Sequence, residues 1–116
     1  MISELHSLFN NLKRVGTNLT LTRTASALNL TNLESVGNNL TIDYNSNLTS
    51  LNAPALAEVV NNLSIDNDSL LTTINIPTQF VSPSASLSIT GDTSLNTVNV
   101  GVISTTGNII IQNNGT

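Results

Sequence analysis

A block of about 23 residues recurs along this chain, and no other feature limits its fold so strongly. Asn39-Leu40-Thr41-Ile42, Asn62-Leu63-Ser64-Ile65 and Ser86-Leu87-Ser88-Ile89 carry one pattern, and an apolar-Asn-apolar triplet starts eleven residues after each Leu. A fixed period of this length means one supersecondary unit stacked on copies of itself, stabilised by its neighbours and acting through the surface that the stack displays.

With Leu40 as the anchor of one coil, apolar residues follow at Ile42, Leu48, Leu51, Ala53, Leu56 and Val59 before the next coil opens at Leu63. Leu19 opens an earlier coil that is two residues short, the deletion falling between Leu21 and Ala25. Leu87 opens a later coil, and Ile109 and Ile111 begin a fifth. The spacing of two within Leu40/Ile42 and Leu51/Ala53 is the strand period, so each coil carries at least two short strands. The sequence thus predicts an all-β, right-handed β-solenoid of four to five coils of 21 to 24 residues, spanning residues 12–116. Pro54 and Pro77 end the second strand, where a residue without an N–H terminates pairing instead of interrupting it. Asn45, Asp68 and Asp92, three residues past the first strand, are expected to close turns onto their own backbone.

Before the repeat, Ile2, Leu5, Leu8, Phe9 and Leu12 recur at helical spacing behind Ser3. This predicts a short amphipathic helix over residues 3–11, making 1–11 an N-terminal cap. No comparable lid follows the last coil, so Ile109, Ile110 and Ile111 are expected to form an uncharged edge open to another chain.

Composition narrows function mainly by exclusion. Aromatic residues make up 3% of the chain, so its core has to be aliphatic. Lys13, Arg14 and Arg23 are its only basic residues, and six acids with no base follow from residue 24 onward, a balance that repels phosphate backbones and argues against nucleic-acid binding. No apolar run approaches the roughly 18 residues of a membrane span, and the N-terminus lacks the pattern of a secretory signal. There is no cysteine, hence no disulfide and no thiolate site.

In register, Asn29, Asn52, Asn75 and Asn99 form a column able to exchange amide hydrogen bonds from coil to coil. Thr20, Thr41, Ser64 and Ser88 form a second column, and Asn18, Asn39, Asn62, Ser86 and Asn108 a third. The second strands present Ser50, Asn52, Thr73, Asn75, Thr97 and Asn99 as a grid of short hydroxyl and amide groups, suited to carbohydrate chains or simply to solvent. Seven Asn-x-Ser/Thr sequons occur, but three of them (Asn18, Asn39, Asn62) share one repeat phase and arise from the repetition itself.

Leu33-Glu34-Ser35-Val36-Gly37-Asn38-Asn39-Leu40-Thr41-Ile42, followed by Leu48-Thr49-Ser50-Leu51, resembles the receptor L-domain type of leucine-rich repeat, versions of which occur in bacterial surface proteins and fungal cell-wall proteins. The resemblance spans about residues 12 to 111. It implies a right-handed solenoid with parallel sheets on its faces in an extracellular or cell-surface setting. The cysteines that cap receptor L domains are absent here, and no ligand-binding residue of that family carries over.

Catalysis has little to stand on, since His6, the single histidine, has no acidic partner fixed by spacing, and no cofactor is implied. Asp43 with Asp66, and Asp68 with Asp92, are equivalent one coil apart, so like charges stack at the rung spacing and need either solvation or a bridging cation such as calcium. The expectation for function is a non-enzymatic structural or adhesive surface module. Its alternatives are a subunit that assembles through open solenoid ends and a receptor-like module that binds a glycan or protein surface.

Overall fold

The computed structural model describes residues 11–23, 27–77, 80–81, 86–101, 103–104 and 107–115. Its strands, in chain order, are β1 Arg14–Val15, β2 Leu19–Thr22, β3 Ala27–Asn29, β4 Ser35–Val36, β5 Leu40–Asp43, β6 Ser50–Asn52, β7 Glu58–Val59, β8 Leu63–Asp66, β9 Thr73–Ile76, β10 Phe80–Val81, β11 Leu87–Thr90, β12 Thr97–Val100, β13 Ile103–Ser104 and β14 Ile109–Gln112. All recorded pairings are parallel, and each joins a strand to its equivalent one coil away. The chain is a β-solenoid of about four turns.

Each turn lays down three strands, the two that the strand period picks out and a third. The first strands form a five-stranded sheet in the order β14-β11-β8-β5-β2, and the second strands a four-stranded sheet in the order β12-β9-β6-β3. The third side is a sheet of β1, β4 and β7, followed further along by the pair β10 and β13. These third strands are only two residues long, too short to show alternation, and that is why Val36 and Val59 read in the sequence only as isolated apolar positions.

Register follows from the aliphatic columns. Leu19, Leu40, Leu63, Leu87 and Ile109 pair in succession, as do Leu21, Ile42, Ile65, Ile89 and Ile111. A slip of one residue would turn every one of these side chains outward, so burial fixes the pairing. Turn-to-turn offsets are 21, 23, 24 and 22 residues. The short first turn loses its two residues between β2 and β3, since Thr22 pairs with Asp43 but Ala27 with Ser50. The interior is one cluster of Leu, Ile, Val and Ala, fully buried at Leu30, Leu33, Ile42, Leu48, Leu56, Ile65, Leu71 and Ile74.

The capping helix expected over residues 1–11 lies, but for Asn11, outside the described residues, and no helical element stands among the described ones. His6 lies outside them as well. Leu12, Val15 and Leu19 pack against the first turn of the core.

Every corner after the first sheet is made in one way. Arg23, Tyr44, Asn67, Gly91 and Asn113 each follow the last residue of a first strand, and each has a positive φ, between 53° and 74°. Gly and Asn accept this left-handed conformation readily, whereas other residues bear roughly 1 kcal/mol or more of strain. The close approach of turns also dictates Gly37, where a Cβ would come within 2.3 Å of the Gly16 carbonyl oxygen. Tyr44 is 63% exposed, so its ring contributes little packing to offset its backbone strain. Replacing Tyr44 with Asn, the residue already present at two equivalent corners, is expected to raise stability by about 0.5–1 kcal/mol in urea denaturation, whereas Tyr44→Val lowers it.

Candidate functional site

The polar grid is assembled as the spacing predicts. Ser50 pairs with Thr73 and Thr73 with Thr97, while Asn52 pairs with Asn75 and Asn75 with Asn99. Because Leu51, Ile74 and Val98 alternate with these residues and face the interior, the hydroxyl and amide columns face outward. The amides also bond one another: Asn99 Nδ2 donates to Asn75 Oδ1 at 2.8 Å, and Asn75 Nδ2 to Asn52 Oδ1 at 2.7 Å. Each rung orders its neighbour, so this face presents Asn side chains with fixed orientations. Thr73 and Ser50 flank them, half-buried.

A second ladder lines the entry to the first sheet. Asn18 Oδ1 accepts from the Asn39 backbone N–H, Asn39 Oδ1 from Asn62, and Asn62 Oδ1 from Ser86, each at 3.1 Å; Ser86 Oγ then accepts from Asn108 at 3.2 Å. The repeated sequon asparagines therefore serve as inter-turn acceptors.

The third ladder differs from its expectation. Asn45, Asp68 and Asp92 do sit at turns, but the turns are closed by their backbone carbonyls, which accept from Leu48, Leu71 and Leu95. Their side chains are fully buried and point along the stack. Asp68 Oδ1 accepts from the Asn45 backbone N–H at 2.7 Å and from Asn45 Nδ2 at 3.0 Å. Asp92 Oδ1 accepts from the Asp68 backbone N–H at 2.8 Å, and Asn114 Oδ1 from the Asp92 backbone N–H at 3.0 Å. The left-handed residue immediately before each of these positions aims the next side chain inward, a backbone property that residue spacing alone does not reveal. The signal that could have located the ladder is the column itself, Asn45-Asp68-Asp92-Asn114.

Burial governs the chemistry of these two acids. Removal from water raises the Asp68 carboxyl from its ordinary 3.8 to about 6, against hydrogen bonds from Asn45 that lower it and with further upward pressure from the charges of Asp43 and Asp66. Asp92 rises to about 7, again chiefly through burial, opposed by the Asp68 backbone bond and assisted by the charges of Asp68 and Asp66.

Asp43 and Asp66 stack as partners on the first sheet, and there hydroxyl groups serve them. Thr22 Oγ1 donates to Asp43 Oδ1 at 2.7 Å, and the hydroxyls of Ser64 and Thr90 donate to Asp66. The four acids named as calcium candidates thus fall into two separate columns, one on the sheet face and one inside. Among the described residues, no three His, Cys, Asp or Glu side chains are grouped to hold a metal ion. Arg14 and Glu34 pair at 3.1 Å on the surface, where such contacts contribute little.

Over the last described strands, residues on the core columns are exposed. Val98, Ile109 and Ile111 occupy inward positions yet are 41%, 54% and 55% exposed. Ile110, on the outward phase of β14, is exposed beside them. Among the described residues, β14 is paired on one side only.

Comparison of the chain with protein-family models, with curated proteins and with solved structures returned no match. The class defined by fold and surface is therefore the β-solenoid, a repeat protein with polar ladders. No helix among the described residues is long and apolar enough to cross a membrane.

The amide ladder has a measurable weight. Asn75 is its middle rung, bonded on both sides. Asn75→Ala is expected to cost about 1–2 kcal/mol in urea denaturation, whereas Thr73→Ala on the same strand stays within about 0.5 kcal/mol.

Proposed function

We propose that this chain is a non-enzymatic surface module whose structural or adhesive work is done by the Ser/Thr and Asn columns of the second sheet. The observation that carries the reading is the bonded row Asn52-Asn75-Asn99 beside Ser50-Thr73-Thr97, an ordered array of donors and acceptors repeating at about 4.8 Å. A polymer rich in hydroxyl groups meets the amide row without reorganising it, because the inter-turn bonds have already fixed the Asn side chains. A carbohydrate or protein surface is the partner class that this chemistry suits. Extracellular or cell-surface placement belongs to the same proposal, as does the kinship with L-domain leucine-rich repeats suggested by the order and spacing of residues 33 to 51.

Titration of the protein against a panel of insoluble polysaccharides is expected to show retention on at least one of them. The triple variant Ser50→Ala/Thr73→Ala/Thr97→Ala, which leaves the amide ladder in place, should weaken that retention several-fold. Retention on none, or retention unaffected by the variant, would remove the display reading.

A second reading, assembly through the end of the stack, draws support from the exposure of Val98, Ile109 and Ile111 on core columns. In this reading the unpaired edge of β14 takes a strand from a second copy. Light scattering across a hundredfold range of concentration should then show association that Ile111→Lys abolishes; a concentration-independent monomer would rule it out.

A further inference from the structure

The interior ladder contains two residues that its geometry does not satisfy as carboxylates. Asp68 Oδ2 and Asp92 Oδ2 are buried and receive no hydrogen bond, a costly state for an ionised oxygen. The asparagines at either end of the same column supply a template for these atoms. Asn45 Nδ2 donates to the Leu21 carbonyl one turn back at 3.0 Å, and Asn114 Nδ2 donates to the Ile89 carbonyl one turn back at 2.8 Å. Leu21, Ile42, Ile65 and Ile89 are register equivalents, so the corresponding carbonyls for Asp68 and Asp92 are those of Ile42 and Ile65. The Oδ1 atoms of Asp68, Asp92 and Asn114 all take the same donor, the backbone N–H of the turn before. Oδ2 of each aspartate therefore stands where Nδ2 of the asparagine stands, facing an acceptor.

We infer that Asp68 and Asp92 are built into the solenoid as neutral carboxylic acids, each donating its Oδ2 proton to the carbonyl of Ile42 or Ile65, and that their ionisation is a proton-controlled loosening of the stack. A protonated aspartate is the shape and hydrogen-bonding equivalent of asparagine at this position, one donor and one acceptor. A carboxylate there turns the donor into a second acceptor aimed at a carbonyl. The charged groups surrounding the pair offer no counterweight. Asp43 on β5 and Asp66 on β8 oppose ionisation of Asp68, and Asp68 and Asp66 oppose ionisation of Asp92. Arg23, the one base in this turn column, belongs to the first turn, two turns from Asp68, and no base follows it in the chain.

The sign follows from where the protons sit. An unfolded chain releases them near the ordinary carboxyl value, whereas the folded chain retains them to about 6 at Asp68 and about 7 at Asp92. Between these limits the unfolded state holds fewer protons, so stability is greatest in mild acid and declines as pH rises from about 4 through about 7. Most proteins with paired carboxylates slope the other way over this range.

Thermal unfolding of the whole chain at pH 5 and pH 8 tests the inference. The melting temperature is expected to be lower at pH 8 by about 4 °C or more. Asp68→Asn/Asp92→Asn, which extends the asparagine already present at both ends of the column, should remove that difference and hold the pH 5 stability at pH 8. Glu58→Gln, a charge change on the exposed surface, should leave the difference intact. Carbon NMR of the wild-type carboxyl groups gives a second readout that depends on no variant folding, with midpoints expected near 6 and 7 for Asp68 and Asp92. A melting temperature that is flat or higher at pH 8, a double variant that keeps the wild-type slope, or midpoints below 5 for both acids would each overturn the inference.

Discussion

Parallel stacking in register is the constraint from which the rest of this molecule follows. Once each turn must lie on the one before it, Leu and Ile fall on Leu and Ile, and the backbone N–H of each first strand is given a carbonyl in the next turn. The aliphatic columns choose the register, because a slip would expose a whole row to water. That register then places every polar residue over its own equivalent. Asparagine over asparagine is favourable, since an amide both gives and receives. Hydroxyls over hydroxyls are neutral. Carboxylate over carboxylate is neither, and this chain answers the difficulty differently at its two sites: Asp43 and Asp66 are served by Thr and Ser hydroxyls on the sheet face, while Asp68 and Asp92 are taken inside.

The three ladders divide the labour of a molecule short of aromatic mass and free of disulfides. One runs along the outside of the second sheet and bonds amide to amide. Another lines the entry to the first sheet and ties side-chain oxygens to the backbone N–H of the following turn. The third runs through the interior corner. Together they satisfy polar groups that short strands and frequent turns would otherwise leave unpaired. Nineteen asparagines in 116 residues are accordingly an architectural quantity.

Much of this was legible in the sequence, because a repeat discloses its own register. The pairs Leu40 with Leu63 and Asn52 with Asn75, the deletion in the first turn and the amide column could all be read by laying one block over the next. The third strand of each turn could not, because two residues such as Glu58–Val59 carry no periodicity. Nor could the inward course of Asp68 and Asp92. Residue type suggested a local turn closed by the side chain; the left-handed residue before each acid rotates it into the core, and φ is a property of the backbone that an alignment of blocks does not show. Residues 3–11, read as a helix, fall but for Asn11 outside the described part of the chain.

The left-handed corner also separates two kinds of inheritance. Arg23, Tyr44, Asn67, Gly91 and Asn113 share one backbone conformation, yet apart from the two asparagines no two of them carry the same side chain. Geometry is copied from turn to turn while the side chain varies, at a backbone cost wherever the residue is neither Gly nor Asn, so this margin of the solenoid differs in charge, size and polarity from rung to rung above an unchanged core. A protein built almost entirely of repetition thus retains one line along which its turns can differ, and along that line successive turns can be told apart by anything that reads the surface.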